Sequence, residues 1–156
     1  MKTITQLSKA FCFLAFATFV QFAHAQKDPD LKTETEFKNY RVQHVVFNST
    51  FIQESVAMNY GLKRSKYESL LNISVYDKNS SKTIATVPAK ITGTVKNLMQ
   101  QQKSLEIIEI KEKDTIYYLA PIKIANEELL HFELNITPEG GEALNVKFSQ
   151  TVYADE

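Results

Sequence analysis

The sequence predicts an all-β fold, an antiparallel β-sandwich of seven or eight short strands with one short helix. Two observations indicate it. Apolar and polar residues alternate with a period of two in most segments after residue 37, and turn-forming stretches such as "DKNSSK" and "PEGGE" separate these segments. Because side chains alternate between the two faces of a strand, such segments bury one face, and sandwiches combine many of them.

Residues 1–25 are predicted to be a secretory signal peptide. Two lysines, Lys2 and Lys9, precede an apolar stretch that runs from Ala10 to Phe22. The triplet "AHA" then supplies the small residues of a cleavage site. The apolar stretch is shorter than the roughly 18 residues that span a bilayer. We therefore expect cleavage before Gln26, a periplasmic location and no membrane insertion of the mature chain.

The mature chain is predicted to be one nearly neutral domain. The full sequence has 18 basic and 18 acidic residues, so loss of two lysines with the leader leaves a net charge of −2, which argues against nucleic acid as a partner. The single cysteine, Cys12, leaves with the leader, so no disulfide is expected. We assign residues 26–36 to a flexible lead-in and residues 37–156 to the β-sandwich domain.

The first two strands are predicted in "NYRVQHVVFN" and "YESLLNISVYD". In the second, Leu70 is placed on the solvent face by the alternation. His44 in the first strand and His131 in a later one are likewise interpreted as histidines on solvent-facing strand surfaces. The set predicted to point inward is Leu71, Ile73, Val75, Phe132, Leu134, Val146 and Phe148.

Later strands are predicted from the same alternation. "TIATVPAKITGTVKNL" contains one strand or two; Pro88 excludes a central ladder position, and Gly93 indicates a bulge or a close backbone approach. A hairpin is expected around residues 112–114. The last two strands, "ELLHFELNIT" and "ALNVKFSQTVY", flank the "PEGGE" turn.

The segment "NSTFIQESVAMNYG" predicts the short helix between the first two strands. Its apolar residues recur at i, i+4 and i+8, which is helical spacing. They are Ile52, Val56 and Tyr60. Asn48 or Ser49 is a candidate cap at the start, and Gly61 is placed to end the helix in the left-handed conformation.

No catalytic residues are assigned. The predicted mature chain has no cysteine and no glycine-flanked serine elbow, and its two histidines lie on separate strands. With Met58 and Met99, these histidines are the candidate soft or imidazole metal ligands, but no two of the four are at ligand-like spacing, so no metal is expected. No glycine-rich loop precedes a helix, and no cofactor is expected.

The stretch "YGLKRSKYE" holds the candidate binding residues Tyr60, Arg64 and Ser65. One interpretation is structural: the loop is solvated, or Arg64 hydrogen-bonds loop carbonyls and acts as a clamp at the helix exit. The other is that Arg64 and Ser65 bind an anionic group such as a peptide carboxylate or a phosphate.

Five stretches, "FNSTFI", "YGLKRSKYESLLNISVY", "ITGTVKNL", "TIYYLAP" and "ELLHFELNI", resemble in order and spacing a bacterial exported family catalogued as domain of unknown function 4426. The resemblance runs from about Tyr40 to Tyr153. It implies a periplasmic immunoglobulin-like sandwich and no established activity. Arg64 and Ser65 match the arginine and serine that follow "YG" in the family.

We therefore expect a non-catalytic binding or adaptor module for an envelope protein or peptide, monomeric or weakly oligomeric. A chaperone that adds a client strand to its own edge is a narrower form of this hypothesis. The alternative is a hydrolase or transferase with an unusual site around Arg64.

Overall fold

In the computed structural model, which describes residues 32–80 and 86–156, nine strands form two antiparallel sheets. The strands are β1 Glu34–Glu36, β2 Tyr40–Asn48, β3 Glu68–Asp77, β4 Ala89–Asn97, β5 Gln102–Ser104, β6 Ile108–Glu112, β7 Thr115–Lys123, β8 Glu128–Pro138 and β9 Leu144–Val152. The all-β prediction is confirmed, but the expected count of seven or eight strands is wrong. The three-residue strands β1 and β5 are too short and too polar to show an alternating pattern.

Neighbours in the chain are mostly neighbours in a sheet. One sheet has the order β1-β2-β3-β7-β6 and the other β5-β4-β8-β9. The pairing of β3 with β7 joins distant parts of the chain, and the predicted hairpin around residues 112–114 is confirmed by the pairing of Glu112 with Thr115. The predicted signal peptide lies outside the described residues.

The predicted flexible lead-in is wrong at its end, because residues 34–36 form β1 and pair with β2. Thr35 lies opposite Val42 in this ladder, and its Oγ1 is 3.1 Å from Nε2 of His44. The three residues of β1 carry no apolar side chain, so it is backbone pairing with β2 that orders them.

The main core lies between the two sheets and contains all seven residues that the alternation predicted to point inward. Each of them is less than a tenth exposed, and Leu71, Ile73 and Val75 are fully buried. This part of the prediction is confirmed, because the period of a strand is strictly two and one face of each strand is apolar.

A second, smaller cluster covers the outer face of the five-stranded sheet. Leu70, predicted to face solvent, is fully buried there with Ala57, Leu62, Ile110 and Leu119. Ala57 comes from helix α1, Glu54–Asn59, which lies between β2 and β3 in the chain, as predicted. The prediction for Leu70 is wrong because α1 and the loop after it cover this face of β3. The strand is therefore buried on both of its faces.

Gly93 of β4 lies opposite Leu134 of β8. A Cβ atom at this position would be 2.6 Å from Cδ2 of Leu134 and 2.8 Å from the carbonyl oxygen of Glu133. The close backbone approach that the sequence indicated at Gly93 is therefore confirmed. Within the described ranges, no helix has the length and apolar composition needed to cross a membrane.

Candidate functional site

The candidate binding residues lie at the end of the sandwich where the chain passes from β2 through α1 into β3. A 3₁₀ helix, Ser49–Phe51, follows β2 directly, and α1 starts only at Glu54. Neither helix has a side-chain cap, so the proposed capping role of Asn48 or Ser49 is wrong.

The end of α1 forms the glycine-dependent turn that the sequence predicted. Gly61 has a φ of +64°, its N–H donates to the Met58 carbonyl at 3.3 Å, and the N–H of Leu62 donates to the Ala57 carbonyl at 2.8 Å. These two bonds are the pattern of a Schellman motif, and Leu62 and Ala57 share the second apolar cluster. The following residues are thereby held close to the 3₁₀ helix.

Ser49 and Ser65 join the 3₁₀ helix to the loop after α1. The Ser49 hydroxyl accepts a hydrogen bond from the Ser65 N–H at 2.9 Å and donates to the Ser65 carbonyl at 3.1 Å. Ser49 is fully buried. The Ser65 hydroxyl accepts from the N–H of Tyr67 at 3.3 Å. Ser65 therefore takes part mainly through its backbone.

Arg64 donates from Nη2 to the carbonyl oxygen of Thr50 at 2.9 Å. This is the kind of loop-carbonyl contact that the clamp hypothesis required, although the carbonyl belongs to the 3₁₀ helix before α1 and not to the exit of α1. The guanidinium is exposed, and the described residues supply it with no other hydrogen bond and no ion pair.

Asp155 connects the C-terminal segment to the end of β2 and the 3₁₀ helix. One carboxylate oxygen accepts from Nδ2 of Asn48, and the other accepts from the hydroxyl of Thr50. These hydrogen bonds, that from Thr50 first, lower the pKa of Asp155. Its N–H also donates to the Lys66 carbonyl at 3.3 Å, and Asn48 accepts from the Ser69 hydroxyl at 3.1 Å. We call this set the cap network; its members are Asn48, Ser49, Thr50, Arg64, Ser65 and Asp155.

Asp155 was missed in the sequence because it is more than a hundred positions from its partners. Asn48 was noted as a candidate helix cap, and the "FNSTFI" stretch marked Asn48 and Thr50 as part of a resemblance, but neither observation pointed to Asp155. A lone aspartate near the end of a chain has no pattern that points to a partner.

Tyr60, the third predicted binding residue, contacts a different element. Its hydroxyl is 3.4 Å from Oε1 of Glu112 in β6, whereas Arg64 and Ser65 contact the 3₁₀ helix. The cap network thus includes Arg64 and Ser65 but not Tyr60. A binding role for any of the three stays a prediction.

An exposed surface surrounds the cap network. Three aromatic side chains are more than half exposed: Phe51 at 75%, Tyr67 at 53% and Tyr153 at 56%. Lys63 and Lys66 are exposed as well, and Nζ of Lys66 lies 5.3 Å from the centre of the Tyr67 ring. We call this surface the cap face; its members are Phe51, Lys63, Arg64, Lys66, Tyr67 and Tyr153.

His44 is not on a solvent-facing surface, so that prediction is wrong. It is buried in the core, and its ring stacks on Phe148 with the ring centres 4.1 Å apart. Burial lowers the pKa of His44 to about 4, which favours the neutral ring. The side-chain partner of His131 is the Ser149 hydroxyl, 2.7 Å from Nδ1.

The other candidate metal ligands, Met58 and Met99, are exposed in α1 and in the turn after β4. Across residues 32–80 and 86–156, no three histidine, cysteine, aspartate or glutamate side chains come close enough together to hold a metal ion.

A family model described as a domain of unknown function, DUF4426, matches residues 34–155. The chain belongs to this family. A DUF4426 protein from Pseudomonas aeruginosa PAO1, known from a crystal structure, is 32% identical, with a TM-score of 0.70 over 79% of this chain and 95% of that one. The family expected from the five sequence stretches is confirmed.

Two more distant structures share the fold. FetP from uropathogenic Escherichia coli strain F11, expressed recombinantly in the periplasm, is 13% identical, with a TM-score of 0.58 over 79% of this chain and 94% of that one. A copper-bound variant of the same FetP is 14% identical, with a TM-score of 0.58 over 78% of this chain and 95% of that one. No curated protein matches this chain significantly.

Proposed function

We propose that this DUF4426 protein is a non-catalytic periplasmic binding module whose cap face docks an acidic segment of another envelope protein. The observation that carries the proposal is that three exposed aromatic side chains and three exposed cations belong to the chain segments that the hydrogen bonds of the cap network join. Aromatic residues and arginine are enriched in protein interfaces and carry much of their binding energy.

The charges of the cap face favour an acidic partner. Lys63, Arg64 and Lys66 form none of the ion pairs found among the described residues. Asp155, the nearby carboxylate, is already hydrogen-bonded by Asn48 and Thr50. Arg64 uses one N–H for Thr50 and keeps the rest of a planar fork that matches a carboxylate. Structural and binding roles of Arg64 are therefore compatible.

The framework under the cap face favours a preorganised surface. The double hydrogen bond between Ser49 and Ser65 and the two bonds to the Asp155 carboxylate join three separate segments of the chain. A surface that is already ordered loses less conformational entropy when it binds. We therefore expect the backbone of the cap face to change little on docking.

The predicted leader supports export and a periplasmic location, and we propose a monomer or weak oligomer. The two antiparallel sheets around a shared core support the immunoglobulin-like classification.

The alternative, a hydrolase or transferase around Arg64, would need an activated nucleophile beside it. The nearby hydroxyls of Ser49 and Ser65 are instead hydrogen-bonded to backbone groups.

In-cell photo-crosslinking tests the proposal. A photoreactive amino acid is placed at Tyr153 on the cap face and, as a control, at Asn145, which is exposed on the four-stranded sheet. The captured peptide is sequenced by mass spectrometry. We expect capture from position 153 only, and a captured segment rich in Asp and Glu.

Charge reversal completes the test. Lys63→Glu with Lys66→Glu should abolish capture from position 153, whereas Lys90→Glu, an exposed lysine of β4, should leave it unchanged. Equal capture from position 145, or capture that survives the double reversal, would refute docking through the cap face.

A further inference from the structure

A cleft of about 500 Å³ opens between the two sheets at the edge formed by β5, and none of the cap-face residues lines it. This volume lies within the range of roughly 300–1,000 Å³ that is usual for small-molecule sites. β4, β5 and the start of β8 line one side, and the last residues of β7 line the other.

The cleft exists because β6 covers only part of β7. The ladder between these strands starts at the pair Ile108 and Leu119, so residues 121–123 have no strand neighbour on that side. Pro121, which has no N–H to offer to a further strand, lies in this uncovered part. The chain between β5 and β6 crosses from one sheet to the other beside the opening.

About half of the cleft wall is apolar. Val95, Ile122, Ile124 and Leu130 line the cleft and are each less than a tenth exposed, and Leu105 lines it half-buried. A bound molecule with an apolar body would remove this surface from water.

Glu68, the first residue of β3, is the exceptional residue of the lining. It is only 7% exposed, and none of the described residues gives its carboxylate a hydrogen bond or an ion pair. Its N–H donates to the Ser65 carbonyl. By contrast, the two carboxylate oxygens of Glu128 in the same cleft accept from Nδ2 of Asn97 at 3.2 Å and from the N–H of Ala125 at 2.9 Å.

Lys123 is a cation of this protein that would compete with a cationic ligand for the Glu68 carboxylate. It lies opposite Glu68 in the ladder between β3 and β7 and also lines the cleft, but its side chain is exposed and makes no ion pair with Glu68. A solvated lysine at the rim gains little by ordering its long side chain toward a carboxylate.

We propose that this cleft binds a small amphipathic amine, with the ammonium group paired to the Glu68 carboxylate and the apolar body packed on Val95, Ile122 and Leu130. The Glu68 side chain is largely buried and has no partner among the described residues, and a ligand that brings a cationic donor into the cleft gives its carboxylate a charge-assisted hydrogen bond. The lining contains no cap-face residue, although Glu68 directly follows Tyr67, and the proposal does not rest on the proposed docking function.

Three probes with the same apolar body separate charge from shape: 4-phenylbutylamine, 4-phenyl-1-butanol and 4-phenylbutyrate. Each is titrated into ¹⁵N-labelled protein while the amide shifts of Val95, Ile122 and Leu130 are followed by NMR. We expect the amine to shift these amides and to bind about tenfold more tightly than the alcohol, with the acid weakest.

Two variants complete the experiment. Glu68→Gln keeps the shape of the side chain, so it should remove the preference for the amine and leave binding of the alcohol unchanged. Lys123→Met removes the competing cation and should strengthen binding of the amine. If Glu68→Gln does not fold, the order of the three probes in the unchanged protein and in Lys123→Met decides. Equal binding of amine and alcohol, unchanged amine affinity in a folded Glu68→Gln, or no shift of the cleft amides would overturn the proposal.

Discussion

Replacing Ser49 by alanine should weaken the fold more than replacing Ser65 or Arg64, the two residues of the loop after α1 that belong to the cap network. The Ser49 hydroxyl is fully buried and is the hydrogen-bond partner of both the N–H and the carbonyl of Ser65, at 2.9 and 3.1 Å. Ser49→Ala removes both hydrogen bonds and leaves the Ser65 N–H without an acceptor, whereas the Ser65 carbonyl keeps the hydrogen bond from the N–H of Glu68 at 3.1 Å.

The magnitude follows from the Ser65 N–H that loses its acceptor. An unpaired buried polar group costs about 1–3 kcal/mol. Ser65 is only half-buried, so water replaces part of what is lost, and we expect the free energy of unfolding to fall by about 1–2 kcal/mol in total. With a urea m-value of about 2 kcal/mol per molar, the midpoint should fall by about 0.5–1 M.

The assay is urea unfolding followed by circular dichroism, with Ser65→Ala and Arg64→Ala as matched controls. The Ser65 hydroxyl accepts one hydrogen bond of 3.3 Å, and the exposed Arg64 donates one hydrogen bond to the Thr50 carbonyl. The free energy of unfolding of each control should therefore fall by no more than about 1 kcal/mol. A loss below about 0.5 kcal/mol in Ser49→Ala, or a larger loss in either control, would refute the reasoning.

Three further outcomes are expected. The pKa of His44 is lowered from 6.5 to about 4 in the folded state, so the unfolded state binds more protons between these values. Stability should therefore be complete above pH 6.5 and fall by about 2–3 kcal/mol as the pH drops toward 4, a slope that His44→Phe should flatten in urea melts at several pH values. Phe132→Ala should cost about 3–5 kcal/mol, because Phe132 is 2% exposed and stacks on Phe148; a loss below about 1 kcal/mol would contradict its burial. The intact mass of protein recovered from the periplasm should correspond to a chain that starts at Gln26, and a mass that includes residues 1–25 would disprove cleavage.

Much of the main core was predictable because strand periodicity is a local property. Alternation identified the inward faces of β3, β8 and β9 without any knowledge of the partner strand. The left-handed end of α1 was predictable for a similar reason, since Gly61 tolerates a positive φ that other residues resist. Arg64 and Ser65 were found as candidates because glycine, cations and a hydroxyl are clustered in a few positions.

Other features depend on elements that are distant in the sequence. Leu70 is buried because α1 and the loop after it cover the outer face of β3. His44 is buried because β9 places Phe148 against its ring. Leu70 was wrongly assigned because no local pattern distinguishes an outer strand face that a helix will cover from one that water will cover. His44 was wrongly assigned because its polar ring lies on the inward face of β2, between Val42 and Val46 of the main core.

By itself, the sequence determined the family, the all-β class, the inward faces of the long strands and the helix before β3, because each depends on residues close together in the chain. The tertiary structure alone decided that Asp155 joins Asn48 and Thr50, and that Glu68 lines a cleft without a partner. The physical reason is that a hydrogen bond or an unpaired buried charge depends on which distant backbone segments the two sheets bring together. Composition and periodicity do not contain that information.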